Sequence, residues 1–221
     1  MKKLTLIIPA KYEGESLPIV LEQLKSFEFK INVILQKDDI ATIESIKNFN
    51  IDIIYQDQLG YGNALIVGIN NLNTDYFCIF NADGSFDPSE ISKMLDIVKN
   101  SDTDFVFGSR YQKGSGSDDD TAITFIGNKI FTFLGKIMFG LPITDILYTF
   151  VVGKSVKIKQ LNLLQKDFSF CVELPIKAKK LDMTMQSTKS HERKRIAGKK
   201  KVNAIKDGFL ILISMLKFFI K

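Results

Sequence analysis

The chemistry of this chain is narrowed first by what it has little of. Its 221 residues include two cysteines, Cys78 and Cys171, and one histidine, His191. The cysteines stand far apart within apolar or mixed segments and show no metal-ligand spacing, so neither a disulfide scaffold nor a zinc site is expected. The opening MKKLTLIIPA carries an apolar run of only a few residues before Pro9. That is too short for the core of a signal peptide, and a cytoplasmic location is expected. No internal repeat and no low-complexity tract breaks the chain.

What is present is enough for a substantial core. At 45% hydrophobic content, this length is read as one domain covering residues 1–221. The net charge of +5 matters less than its distribution: residues 189–201, KSHERKRIAGKKK, hold seven Lys or Arg against one Glu. Such a block attracts phosphates on nucleic acid, on anionic lipid or on a phosphorylated substrate, although a merely solvated loop has the same composition. Aromatic residues are not interleaved with these charges, so a base-stacking platform is lacking and no nucleic acid partner is expected.

Short apolar runs at Leu4–Ile8, Ile31–Leu35, Ile51–Tyr55, Tyr76–Phe80 and Asp104–Phe107 read as strands, being brief, rich in β-branched or aromatic residues and bounded by polar turns. Between them, residues 15–26, 40–49 and 62–72 repeat apolar positions at helical spacing. This alternation predicts an α/β fold, a mostly parallel sheet with helices on its faces. After Phe107 the pattern changes to GSRYQKGSGSDDD, a long glycine- and aspartate-rich loop of the functional or mobile kind.

Two later segments are conspicuously apolar. Residues 122–143 carry only Lys129 and Lys136, seven residues apart and so on one face. Residues 208–220 are interrupted only by Ser214 and Lys217; as a helix they would be about 20 Å long, short of the roughly 30 Å hydrocarbon layer. A buried core helix is one reading of each segment. Flanking a basic block, they point instead to a membrane-facing edge, with Lys217 and Lys221 reaching headgroups and Phe218 and Phe219 in the acyl boundary. An apolar protein partner would give the same pattern.

The strongest local signal is CIFNADGSFDPSE at 78–90, an apolar strand ending on a carboxylate-bearing turn before Pro88 opens a helix. Ligands bind beyond the carboxyl ends of such strands, and a carboxylate together with substrate phosphates is the usual way to hold Mg²⁺ or Mn²⁺. Asp83 is the leading candidate for that carboxylate. An ordinary strand-to-helix turn with Asp87 as helix cap is the other reading of the same stretch.

Taken together, IIPAKYEGESLP at 7–18, LGYGNAL at 59–65, NADGSFDP at 81–88 and GSRYQKG at 108–114 resemble the family 2 glycosyltransferases of GT-A fold. RIAGKKK at 195–201 is similar to the Arg-x-x-Gly-x-Ser-Lys element of the polyprenol-phosphate sugar synthases within that family. The resemblance implies a nucleotide-sugar half at 1–107, an acceptor half at 108–200 and a membrane-associating C-terminal helix at 201–221. It implies an inverting hexosyltransferase with a UDP- or GDP-hexose donor and a lipid-linked acceptor, most simply polyprenyl phosphate, at the inner face of the cytoplasmic membrane in cell-envelope glycan assembly. The alternatives are a hydroxyl acceptor, or a protein that binds the donor without turnover. A homo-oligomer is left open.

By the same resemblance, Pro9, Ala10, Lys11 and Glu13 line the nucleoside pocket with Gln36. Gly60 and Gly62 let the backbone approach the donor, and tight helix packing is an equally good reason for both. Asn81, Asp83 and Ser85 form the Mg²⁺ or Mn²⁺ shell, with Asp83 catalytic. Arg110, Arg195 and Lys201 are phosphate ligands on the acceptor side. A lipid phosphate needs no base, whereas a hydroxyl acceptor would use Asp145, or more weakly Glu173. The chain departs from the family at Asn81, which replaces the first acid of Asp-x-Asp, at Gln36–Asp39, where many relatives carry Asp-Asp-Gly-Ser, and at Lys200, which stands at the serine position.

Overall fold

The computed structural model describes residues 3–198 and 200–220. The five expected strands form as β1 (Leu4–Pro9), β2 (Lys30–Leu35), β3 (Asp52–Tyr55), β4 (Tyr76–Ile79) and β5 (Phe105–Ser109). The helices between them are α1 (Leu17–Leu24), α2 (Ile40–Ile46), α3 (Tyr61–Asn70) and α4 (Pro88–Asn100). β1, β2, β3 and β4 pair in parallel. Their side chains alternate between two cores, so Ile7 packs with Leu65 and Ile69 of α3 while Leu6 and Ile8 face Leu17 and Leu21 of α1. β1 and β4 are buried on both faces and so are largely apolar, whereas β3 at the sheet edge is half exposed.

Further elements complete the fold. A two-residue strand β6 (Gly116–Ser117) precedes α5 (Ala122–Phe139), followed by β7 (Val151–Lys154), α6 (Ser155–Gln160), α7 (Phe170–Lys180), β8 (Met185–Lys189), β9 (His191–Glu192) and α8 (Ala204–Ile220). α5 and α8 are the apolar segments expected as helices; the other elements were not resolved by periodicity, and β6 and β9 pair as a separate two-stranded sheet. The seven-stranded order is β3-β2-β1-β4-β7-β5-β8, with β7 antiparallel to both β4 and β5. The sheet is therefore mostly parallel with helices on both faces, as expected. The connection from β1 runs one way to β2, and β4 lies on its other side, so the carboxyl ends of β1 and β4 flank a topological switch point.

α5 begins at a capping box in which Thr121 and Thr124 exchange backbone and side-chain hydrogen bonds. It ends at Gly140 in the left-handed region, φ 63°. α8 packs against α5 and α7, and Ile211 and Met215 are buried in the core. This corrects the expectation for Phe218, which packs partly buried against the core while Phe219 stays exposed. Lys221, also expected at headgroups, lies outside the described residues.

Candidate active site

The carboxyl ends of β1 and β4, the start of α3, the 110–120 loop and the basic 192–202 strap enclose a cleft of about 530 Å³. Pro9, Ala10, Lys11 and Glu13 border one end. Asp83, with Asn81 and Ser85, lies in its floor.

The turn after β4 is built around Asp83. Its Oδ1 accepts from the Ser85 N–H at 3.0 Å and the Ser85 hydroxyl at 2.7 Å, and Asn81 Nδ2 reaches Ser85 Oγ at 3.3 Å. Gly84 adopts φ 82°, and a Cβ there would stand 2.4 Å from Ile196 Cδ1. Only glycine lets the strap lie so close. Asp87 caps α4, accepting from the Ser89 N–H at 2.9 Å with Pro88 as first helical residue. The cap is thus Asp87 alone, and it leaves Asp83 Oδ2 facing the cleft side of the turn.

The strap is tied down along its length. Arg193 N–H donates to the Ser85 carbonyl and Ile196 N–H to the Asp83 carbonyl, each at 2.8 Å. Arg195 Nη1 stands 3.4 Å from Asp83 Oδ2 and Nη2 3.2 Å from Asp119 Oδ2. Lys200 pairs with the same Asp119 oxygen at 3.2 Å. Lys201 pairs with Glu13 across the cleft mouth, and Glu13 also accepts from the Ser16 hydroxyl at 2.6 Å. Lys199 of this element lies outside the described residues.

Several expected site residues have other duties. Asp145 is fully buried and does not border the cleft. Both its oxygens bind Arg110, Nε at 2.7 Å and Nη2 at 2.9 Å, and the Arg110 N–H also donates to it. A carboxylate so enclosed cannot reach an acceptor hydroxyl, which corrects the expectation of a base at Asp145. Glu173 is likewise buried, capping the Leu164 and Gln165 N–H groups and pairing with Lys177. Arg110 touches the cleft, but its third nitrogen goes to Glu192 at 3.1 Å. It is a strut between Asp145 and Glu192 rather than an open phosphate ligand. Burial alone would lower its pKa; the Asp145 hydrogen bond and the charges of Asp145 and Glu192 outweigh that and raise it.

Gln36 and Gly62 do not border the cleft. A Cβ on Gly62 would meet the Gln165 carbonyl at 2.2 Å, and one on Gly60, whose φ is 133°, would meet the Lys166 carbonyl at 2.0 Å. The close approach of the 165–167 loop, the packing reason, requires both glycines, and Gly60 also borders the cleft. Asp39, from the segment that departs from the family pattern, caps α2 and accepts from the Tyr12 N–H at 2.7 Å.

Sequence reasoning missed Asp119 and Glu192, because the contacts that give them meaning join loops far apart in the chain. It also missed the far arm of the cleft. There the wall turns apolar, with Ile123, Gly127, Phe131, Leu147, Ile205 and Ile211 forming a slot between α5 and α8. Cys171 also borders the cleft; burial pushes its thiol up to about 12.

Asp83, Asn81 and Ser85 offer a carboxylate, an amide and a hydroxyl, hard oxygen donors that suit Mg²⁺ or Mn²⁺. Among the described residues no three His, Cys, Asp or Glu side chains gather as a metal site. One protein carboxylate leaves most of the coordination shell to phosphate and water, the arrangement typical of a cation carried with a diphosphate.

A switch-point cleft with a diphosphate-suited cation turn at one end defines an α/β protein that handles phosphorylated nucleotides. The glycosyl transferase family 2 model matches residues 5–161, and the chain belongs to that family. It is 27% identical over 205 residues to a UDP-N-acetylglucosamine–dolichyl-phosphate N-acetylglucosaminyltransferase of Methanococcus voltae, covering 81% of each chain. A low-salt glycan biosynthesis hexosyltransferase of Haloferax volcanii is 27% identical over 94 residues, which are 42% of this chain and 23% of that protein's length. Among solved structures, glucosyl-3-phosphoglycerate synthase of Mycobacterium tuberculosis with UDP superposes at a TM-score of 0.75 with 11% identity, over 99% of this chain and 80% of that one. The same enzyme with Mn²⁺, UDP and glucosyl-3-phosphoglycerate matches at 0.75 and 12%, over 98% and 80%. The fold is GT-A, and the chain is a glycosyltransferase.

Proposed function

We propose that this glycosyltransferase moves a hexose from a UDP- or GDP-sugar to a lipid-linked acceptor, polyprenyl phosphate, at a membrane surface, with inversion at the anomeric carbon. The observation that carries the reading is the continuity of one cleft from a charged end, where Asp83, Arg195 and Lys201 lie, to an apolar slot between α5 and α8. A headgroup phosphate and an isoprenoid tail need those two environments side by side. Phosphate-bearing acceptors also feature in the names of the Methanococcus relative and the mycobacterial neighbour.

Asp83, Asn81 and Ser85 would hold Mg²⁺ or Mn²⁺, which when bound neutralises charge developing on the leaving diphosphate. Pro9, Ala10, Lys11 and Glu13 border the nucleoside. Arg195 and Lys201, which border the cleft, hold the acceptor phosphate. An acceptor oxygen, already anionic near neutral pH, attacks the anomeric carbon; the bond to the donor diphosphate breaks and its electron pair leaves with the nucleoside diphosphate. Holding the reactants in line is the main task, and no base is required. The exposed apolar faces of α5 and α8 rest on the membrane.

Purified protein is incubated with a panel of nucleotide sugars, with and without Mn²⁺, with farnesyl phosphate or a phosphorylated hydroxyl acceptor such as phosphoglycerate. Acid-labile polyprenyl-phosphate sugar is the expected product. Transfer only to the hydroxyl compound overturns the acceptor, and donor binding without turnover overturns the enzyme reading.

A further inference from the structure

Arg195 sits where two functions meet. Asp83 Oδ1 is already committed to the Ser85 N–H and hydroxyl, so Oδ2 is the oxygen left for a cation, and it is the oxygen that Arg195 Nη1 faces at 3.4 Å. A metal–oxygen bond to a hard cation is about 2.1 Å, far shorter than this contact. A divalent cation on Oδ2 would face the guanidinium at close range as a like charge, so the two compete for one oxygen.

Displacement would not set Arg195 adrift. Its Nη2 remains on Asp119, which Lys200 also holds, and the strap stays pinned by the Ile196 N–H on the Asp83 carbonyl. What displacement does is release Nη1, while Nη2 stays on Asp119 and keeps the guanidinium in place. A freed N–H on a fixed guanidinium is a charged donor that can make a charge-assisted hydrogen bond to a phosphate oxygen.

We propose that Arg195 is the internal counter-cation of Asp83, and that its release by the arriving divalent cation completes the acceptor-phosphate site. This rests on the metal and acceptor reading above and adds an order to it: the cation, with its donor diphosphate, loads first and the acceptor phosphate second. Because coupling between two ligands is reciprocal, the acceptor phosphate must tighten cation binding by the same factor that the cation tightens phosphate binding. The device also keeps a carboxylate and a guanidinium neutralised in the empty cleft.

Mn²⁺ alone is titrated by electron paramagnetic resonance into the full chain and four variants, Arg195→Gln, Lys200→Gln, Arg195→Lys and Asp83→Asn, each checked for unchanged thermal unfolding. Arg195→Gln should bind Mn²⁺ about three- to tenfold more tightly than wild type, the gain expected from removing a partly exposed competing ion pair. Lys200→Gln removes the same charge from the same strap but touches Asp119 only, and should stay within about twofold of wild type. Arg195→Lys should fall between them. Farnesyl phosphate binding, followed by calorimetry, should tighten with Mn²⁺ in wild type and lose that dependence in Arg195→Gln.

Equal tightening in Arg195→Gln and Lys200→Gln would reduce the effect to a general field and overturn the proposal. So would unchanged or weaker Mn²⁺ binding in Arg195→Gln, or farnesyl phosphate affinity indifferent to Mn²⁺ in wild type. If Asp83→Asn abolishes Mn²⁺ binding while Arg195→Gln matches wild type, the metal reading stands and only the counter-cation falls. If neither wild type nor Arg195→Gln binds Mn²⁺, both fall together.

Discussion

Arg110 and Asp145 form a two-point ion pair beneath the cleft, with Nε 2.7 Å and Nη2 2.9 Å from the two carboxylate oxygens. Removing one partner of a buried pair leaves the other charge uncompensated, at a cost of about 3–5 kcal/mol. Asp145→Ala is therefore expected to lower the denaturation midpoint strongly, whichever acceptor is used. A base would behave differently: its removal would leave urea unfolding unchanged and abolish turnover alone. Paired urea titrations and donor-binding measurements on the variant separate the two, and unchanged stability would contradict the strut.

Asp104 supplies a pH dependence unrelated to the cleft. Burial would raise its pKa, but hydrogen bonds from Lys154 and the Thr184 N–H, with the charges of Lys154 and Lys157, outweigh that and lower it below its ordinary value. A carboxylate with a depressed folded pKa contributes stability that is fully present above its unfolded pKa of 3.8 and is lost as pH falls through the folded value. Asp104→Asn is thus expected to be less stable than wild type at pH 7, with the difference shrinking as the pH drops below about 4. Thermal unfolding across pH 3–7 measures it; a gap that stays constant would show that Lys154 and Lys157 do not hold this carboxylate.

How far the fold could be read depended on what each segment packs against. β1, β2, β4 and β5 are buried on both faces, so their apolar runs announce them. β7 is only four residues, and the polar residues of β8 (MQSTK) hide its pairing with β5. α7 carries Pro175 in its interior, which breaks the usual helical signal although the residues around it are buried. Within the site, the Asp83 turn was legible because its ligands lie within five consecutive residues. The pairs that redefine Asp145 and explain Glu192 span 35 and 82 positions, and no local pattern encodes a contact made only after the sheet has assembled. Arg110 was found and its duty misread for the same reason: a motif supplies the residue type, and burial decides its partner.

Gly127 offers a test of the apolar slot in which stability and function move in opposite directions. A Cβ added there meets nothing within 4 Å, and the residue borders the slot on α5. Replacing an interior helical glycine by leucine favours the helix by somewhat under 1 kcal/mol. Gly127→Leu is therefore expected to unfold at the same or a slightly higher temperature while its larger side chain narrows the slot. Transfer to farnesyl phosphate should fall about tenfold or more in kcat/KM, and Mn²⁺-dependent donor binding should not change. Full activity on prenyl acceptors would remove the slot from the acceptor path.

The outer face of α5 presents Ile123, Ile126, Ile130, Phe133 and Ile137, spaced three and four apart and each more than half exposed. α5 is long and apolar enough by composition to cross a membrane, yet its packing on α8 beside the cleft suits a helix lying in the interface plane. Lys129, whose ammonium lies 4.3 Å from the centre of the Tyr111 ring, and Lys136 flank the stripe, and on a membrane they would be the cations placed to reach headgroups. Ile130→Glu combined with Phe133→Glu changes two exposed side chains, so thermal unfolding should shift by only a few degrees. Sedimentation with vesicles containing anionic lipid should drop from most of the protein to little of it. The same three-four spacing would also serve a seam between two copies of the chain. Should wild type be a dimer that ignores vesicles and the variant a monomer, the stripe is a self-association surface and the membrane reading of α5 is wrong.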